Sequence, residues 1–267
     1  MKIIVLIPIY KTTLSTEEEL SLKQCFRVLS HYDIRLVCPT TLDITSYSST
    51  IGKDIKAERF EPIFFDGIKG YNNLMTNRKF YKRFESFEYM LIYQLDAWVF
   101  TDKLTEWCEK GYDYIGAPWF ELHKTHEEGY GFWCCGNGGL SLRRVQAFLR
   151  VTNPNTKLLP YREIFKTYFL SFRTWKKGLK VLFRENNLRW FKKKHSYLWE
   201  DTYFCYGLDE TSLRLKRPAP EEAAQFSFEC SPAYLYSFIG NRLPFGCHAW
   251  KKYQYEEFWS KFIPTTK

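Results

Sequence analysis

Five consecutive apolar residues, Ile3-Ile4-Val5-Leu6-Ile7, run up to Pro8 near the start of the chain. Most are β-branched. A strand written this way is apolar on both faces, so it must be covered by a layer on each side. The run is too short to span a bilayer, and Pro8 ends it with no small-residue cleavage site behind it. It is therefore expected to be a buried strand and not a signal peptide.

Beyond Pro8 the chain alternates helix and strand. Ser15-x-x-Glu18 is a capping box. The helix it opens places Leu22, Cys25, Phe26 and Leu29 at i, i+3, i+4 and i+7. Ile34–Cys38 reads as the next strand, stopped by Pro39, with a looser stretch to about Asp66. Asn72–Phe84 reads as a helix with Phe80, Tyr81 and Phe84 on one face, and Tyr89–Tyr93 as another buried strand. Tyr112–Ile115 and Leu140–Leu142 are short strand candidates, and Arg143–Val151 continues as a helix. This alternation implies an α/β fold with a mostly parallel sheet flanked by helices. In such sheets ligands bind beyond the carboxyl ends of the strands, which directs attention to Pro8, Ile9, Tyr10 and Lys11, and to Gln94, Leu95 and Asp96.

Length and composition set bounds on this reading. The 267 residues suffice for one large core. Charged residues at 26% and hydrophobic residues at 45% argue against disorder. The formal net charge of +9 calls for an anionic partner, without choosing among nucleic acid, lipid and phosphorylated small molecules. None of the eight cysteines forms a C-x-x-C pair, and several sit in apolar runs. Reduced, buried thiols and a cytoplasmic setting are expected from this, with no disulfide framework or zinc knuckle. Between Tyr161 and Tyr197 lysine and arginine alternate with Phe, Trp, Leu and Tyr. We read residues 161–197 as a basic, aromatic, helical insertion within a single domain spanning 1–267.

Several segments carry candidate chemistry. In Met90-Leu91-Ile92-Tyr93-Gln94-Leu95-Asp96 an apolar strand runs into a carboxylate that can meet a metal-bound diphosphate or a ribose hydroxyl. A turn aspartate is the plain alternative. Gly136-Asn137-Gly138-Gly139 precedes a strand and lets the backbone approach a ligand closely, although a simple turn would use the same glycines. It is neither a phosphate-binding loop of the G-K-S/T type nor a dinucleotide fingerprint. Glu200-Asp201 opens a helix, where a carboxylate can act as a general base or merely favour the helix start. His248 lies late in the chain among Phe245, Gly246 and Trp250. His123-x-x-His126 sits in a charged stretch and reads as a solvated loop.

Taken in order, these segments resemble the GT-A glycosyltransferases over most of the chain. Gln94-Leu95-Asp96, Ile115-Gly116-Ala117-Pro118-Trp119 and Gly136-Asn137-Gly138-Gly139 also resemble a branch of that superfamily known only as a domain of unknown function. The resemblance implies a GT-A-like fold and transfer of a sugar from a nucleoside-diphosphate sugar to a hydroxyl acceptor. It implies that Pro8 and Tyr10, with Lys11 beside them, hold the nucleotide and that Gln94-Leu95-Asp96 falls at the D-x-D diphosphate motif. Gly138 and Gly139 match the glycine loop. Asp201 matches the general base, with Glu200 beside it, and Asp96 and His248 match ligands of a divalent cation, manganese or magnesium. The D-x-D motif lacks one acidic residue in either register, which leaves a thin shell for a hard cation.

A base at Asp201 implies inversion at the anomeric carbon. The expected acceptor is a carbohydrate or a lipid-linked sugar, in surface glycan or glycolipid synthesis. The basic insertion then implies peripheral contact with an anionic membrane at its inner face. Two other functions would need different features. A sugar nucleotidyltransferase would carry glycine in the loop after the first strand, and Pro8-Ile9-Tyr10-Lys11-Thr12-Thr13 has none. A nucleic-acid-binding protein would use the +9 charge but not the ordered acidic positions, so no nucleic-acid partner is expected.

Overall fold

The computed structural model describes residues 1–264. Its centre is a six-stranded sheet. Strands β1 (Ile3–Pro8), β2 (Asp33–Pro39), β3 (Lys56–Phe60) and β4 (Tyr89–Tyr93) are mutually parallel. Strands β6 (Tyr114–Ile115) and β9 (Leu140–Arg144) add an antiparallel edge, so the order is β3-β2-β1-β4-β9-β6. The first strand is buried on both faces, as its composition requires. Ile3, Val5 and Ile7 enter one core layer with Leu22, Cys25 and Leu29 of helix α1 (Thr16–Leu29). Ile4 and Leu6 enter the opposite layer with Phe80, Tyr81 and Phe84. The α1 capping box forms in full between Ser15 and Glu18.

The stretch read as loose up to Asp66 is instead ordered, with α2 (Thr45–Ile51) and β3 in it. Strand β3 is Lys-Ala-Glu-Arg-Phe, an edge strand held partly by ion pairs from Arg35 and Arg83 to Glu58, so it lacks an apolar signature. The helix read over Asn72–Phe84 is two helices, α3 (Gly67–Met75) and α4 (Arg78–Arg83). The break falls at Asn77, whose side chain caps α4 by accepting from the Lys79 backbone N–H. Helix α5 (Leu104–Glu109) buries Leu104 and Trp107. Arg143 and Arg144 extend strand β9, and helix α6 (Val145–Val151) begins only after them.

A second, three-stranded sheet is what completes the site. In it β11 (Gly246–Cys247) pairs with β10 (Ser227–Phe228) on one side and with β5 (Trp98–Val99) on the other. Strands β7 (Pro118–Phe120) and β8 (Phe132–Cys135) form a separate antiparallel pair. Residues 161–197 contain the helices α7 (Tyr161–Tyr168), α8 (Trp175–Lys180) and α9 (Leu188–Lys194), as the insertion reading expected of its secondary structure. Helix α9 buries Leu188 and Phe191 in the core, whereas Phe183 is 80% exposed. A short helix, α10 (Glu200–Thr202), comes after the insertion. All eight cysteines are free, and six are buried.

Candidate functional site

A cavity of about 560 Å³ lies beyond the carboxyl ends of β1 and β4, within the usual volume of a small-molecule site. Strand order reverses between these neighbours, and an open α/β sheet leaves a crevice at such a point. The loop after β1 brings Pro8, Tyr10 and Lys11 to the wall, and the end of β4 brings Gln94 and Asp96. Gly139, Glu200, Asp201 and His248 complete the set expected from sequence. Gly138 alone stays out of the lining; it lies behind Glu200, and any Cβ there would collide with that carboxylate. Tyr10 is largely exposed at the rim, and Lys11 is bridged to Glu18 of α1 at 2.7 Å.

Asp96 and His248 are 152 positions apart in sequence and 3.1 Å apart in space, from Oδ1 to Nε2. Register explains the approach. Cys247 of β11 pairs with Trp98 of β5 in antiparallel fashion, so the next residue, His248, arrives over the turn that holds Asp96. The other imidazole nitrogen, Nδ1, lies 3.1 Å from Glu229 Oε1, and Gln94 Oε1 lies 3.2 Å from Nε2. Burial alone would lower the His248 pKa, but the flanking Asp96 and Glu229 carboxylates outweigh it and raise it to about 10. Burial pulls Asp96 the other way, yet its contact with His248 holds its pKa below the ordinary carboxylate value. The side chain of Asp96 remains 53% exposed and faces the cavity, whereas His248 is nearly enclosed.

Gly139 allows this arrangement. Its carbonyl accepts from the Gln94 N–H at 2.9 Å, continuing the β4–β9 pairing, and a Cβ at this position would collide with the His248 ring. The glycine serves close packing of backbone against imidazole.

Asp201, which also lines the cavity, sits at the start of α10. The Glu200 backbone N–H donates to Asn72 Oδ1 at 2.8 Å, which fastens this turn to α3. Glu200 Oε1 accepts from Arg143 Nη2 at 2.9 Å in a pair that is almost wholly enclosed, and Arg143 Nη1 donates to Tyr81 Oη at 2.9 Å. Burial and the adjacent Glu200 charge raise the Asp201 pKa to about 7. One buried polar atom in the cavity wall, Glu200 Oε2, has no hydrogen-bond partner among the described residues. A ligand hydroxyl group would satisfy it.

A divalent cation would find few protein donors here. Among the described residues no cluster of three or more His, Cys, Asp or Glu side chains is arranged to hold a metal ion. Asp96 and His248, with the neutral Gln94 oxygen nearby, fit a cation that displaces the imidazole proton and takes its remaining ligands from diphosphate and water. Glu229 would then orient the imidazole from behind.

Sequence reasoning missed Glu229, Tyr71 and Asn72 as site residues, and it saw Arg143 only as the first residue of a helix. Glu229 is 19 residues from His248 and reaches it through the β10–β11 pairing. Arg143 carried a local signal, since it shares a face of β9 with Ser141, to whose Oγ its Nε donates at 3.1 Å. Its partner Glu200 is 57 residues away and carried none.

Comparison with solved structures places the architecture. Mouse xyloside xylosyltransferase 1 in its apo form aligns with 93% of this chain and 97% of its own, at 12% identity and a TM-score of 0.51. The galactosyltransferase LgtC, solved with donor and acceptor sugar analogs, aligns over 92% of this chain and 86% of its own, at 10% identity and a TM-score of 0.49. Apo GlyE of Streptococcus pneumoniae TIGR4 aligns with 93% of this chain at 14% identity and a TM-score of 0.44, and there the chain spans 54% of the GlyE length. A search of curated proteins returned no match. The family described as "Protein of unknown function (DUF5672)" matches residues 54–248, a stretch that takes in Asp96, Glu200, Asp201 and His248. The chain therefore belongs to this family of unknown function, and its fold is that of the GT-A glycosyltransferases.

Proposed function

We propose that the chain is a single catalytic unit, with residues 161–197 inserted in it, that transfers a sugar from a nucleoside-diphosphate sugar to a hydroxyl acceptor. One observation carries this reading: a cavity at the sheet's switch point is lined by both the Asp96–His248 pair and an Asp201 of pKa about 7. The likeness in fold to mouse xyloside xylosyltransferase 1 supports a glycosyltransferase in general.

In this reading Pro8, Tyr10 and Lys11 flank the nucleotide. The diphosphate lies against Asp96 and His248, with Gln94 and Gly139 beside them. A divalent cation held by Asp96 and His248 would neutralise charge on the departing diphosphate. Asp201 removes the proton from the acceptor hydroxyl. The acceptor oxygen bonds to the anomeric carbon as the bond from that carbon to the phosphate oxygen breaks, and the nucleoside diphosphate leaves with the electron pair. Attack opposite the leaving group inverts the anomeric centre. Glu200 is held by Arg143, so its part is to place Asp201 and raise its pKa. A second cavity, of about 520 Å³ and lined by Trp119, Tyr197, Trp199 and Tyr253, also opens on Asp201. We assign it to the acceptor, because aromatic faces suit the apolar C–H faces of a sugar ring. The acceptor is then a carbohydrate, free or lipid-linked, in surface glycan or glycolipid synthesis.

A thermal-shift screen over UDP-, GDP-, CMP- and dTDP-sugars, with and without manganese, tests the proposal. A ligand at a hundred times its Kd adds about 2.7 kcal/mol to stability. For a chain of this size that is a rise in Tm of at least about 5 °C. A nucleoside-diphosphate sugar should give that rise in wild type and a smaller one in Asp96→Ala. No shift with any donor, with or without metal, would overturn the assignment.

A further inference from the structure

The net positive charge of this protein resides in one segment. Residues 161–199 hold eleven of the 39 lysines and arginines and two of the 30 acidic residues, an excess of nine. The rest of the chain is balanced at 28 of each, so this segment accounts for the whole +9. It also holds eight of the fifteen large hydrophobic side chains exposed among the described residues.

The two properties coincide at one end of the segment. Helix α9 packs Leu188 and Phe191 into the core with Trp190 against it, which is ordinary helix packing. The stretch from α7 through Phe183 packs differently. Leu170 is 85% exposed, Phe172 90% and Phe183 80%, and Phe165 and Trp175 are also open to solvent. Interleaved with them in sequence, and likewise exposed, are Lys166, Arg173, Lys176, Lys177, Lys180 and Arg184. Lys180 alone of these is in an ion pair among the described residues, with Glu185 at 2.9 Å. A solvated helix face would carry lysines without protruding Leu and Phe, and a core-packing face would bury the Leu and Phe.

We propose that residues 161–183 dock this protein on an anionic lipid surface. The Leu170 and Phe172 side chains enter the acyl boundary, and the surrounding cations meet the headgroups. This is the chemistry of an interfacial segment, in which apolar burial and electrostatic attraction each contribute. A phosphate backbone would satisfy the lysines but would leave Leu170 and Phe172 in water, so a polyanion such as RNA is the weaker match. The segment is joined through the core-packed helix α9 to Trp199, Glu200 and Asp201 in the cavity wall. If the glycosyltransferase reading holds, docking would bring that wall to an acceptor carried in the membrane. The docking itself does not depend on that reading.

The test is flotation of the full chain with vesicles of pure phosphatidylcholine and of phosphatidylcholine with about one third phosphatidylglycerol, at low and high salt. Wild type should float with the anionic vesicles at low salt and stay behind with the neutral ones. The double variants Leu170→Ser/Phe172→Ser and Lys176→Glu/Lys177→Glu should each lower bound protein by about tenfold or more, as expected when either of two required signals is removed. Their Tm values and their binding of nucleotide sugars should match wild type, which separates lost docking from lost fold or lost activity. Absence of flotation with anionic vesicles would overturn the proposal. So would full binding by Leu170→Ser/Phe172→Ser together with displacement of wild type from vesicles by RNA, which would mark the segment as a polyanion site.

Discussion

Asp201→Asn should stabilise this protein at alkaline pH while abolishing most of its catalysis. The side chain is held at a pKa of about 7 by burial first and by the Glu200 charge second, against an ordinary value of 3.8. A folded-state pKa raised this far means that the native protein binds this proton more tightly than the unfolded chain. Stability therefore falls as pH rises from about 4 to about 7, and the loss is complete above the folded pKa. Three units at 1.36 kcal/mol each set a ceiling of about 4 kcal/mol, and solvent at the cavity mouth lowers the expected figure to about 1–3 kcal/mol. Asparagine removes the charge and keeps the oxygen that accepts from the Thr202 N–H at 2.7 Å. Thermal melts of both proteins at pH 5 and pH 8.5 read the difference, and the gain of the variant over wild type should widen by several degrees at the higher pH. Turnover of a sugar donor and acceptor should fall about a hundredfold or more, the usual scale for a general base. The wild-type rate should rise as pH passes through about 7. A variant equally or less stable than wild type at pH 8.5, or one that retains full turnover, would refute the reasoning.

The geometry predicts three further outcomes. Gly139→Ala should weaken donor binding as much as His248→Ala does, measured by calorimetric titration with a nucleoside diphosphate, because its Cβ displaces the imidazole. Arg143→Met should lower stability by about 3–5 kcal/mol in urea melts, since it strands the buried Glu200 charge. The double variant Arg143→Met/Glu200→Gln should recover part of that loss, and no recovery would argue against a coupled pair. Glu229→Gln should lower the His248 pKa, read by NMR titration of the imidazole in the protein without ligand, because it removes one of the two carboxylates that hold the ring charged.

The parts of this fold that were legible in the sequence are those whose burial is dictated locally. Strands β1 and β4 are covered on both faces and so read as unbroken apolar runs, β2 reads as an apolar run interrupted by Arg35, and α1 announces itself through Ser15 and Glu18. Strand β3 was missed because an edge strand of Lys, Glu and Arg has no such pattern, and the α3–α4 break because Asn77 looks like any polar helix residue until its cap is seen. In the site, each expected residue sits at or directly behind the cavity wall, because each stands at a strand end, a glycine turn or a helix start. What escaped was pairing over distance. Glu229 behind His248 and Arg143 beneath Glu200 depend on strand register, which local patterns do not encode.

The central claim is most directly tested by monitoring nucleoside-diphosphate sugars with phosphorus NMR in the presence of wild type, Asp96→Ala and Asp201→Asn, together with a panel of glycoside acceptors. The account predicts release of nucleoside diphosphate by wild type for at least one donor. That release should be slowed about a hundredfold or more in Asp201→Asn, with binding retained, and Asp96→Ala should lose the binding as well. Turnover that survives unchanged in both variants, or donors left intact by wild type with every acceptor and metal tried, would contradict it.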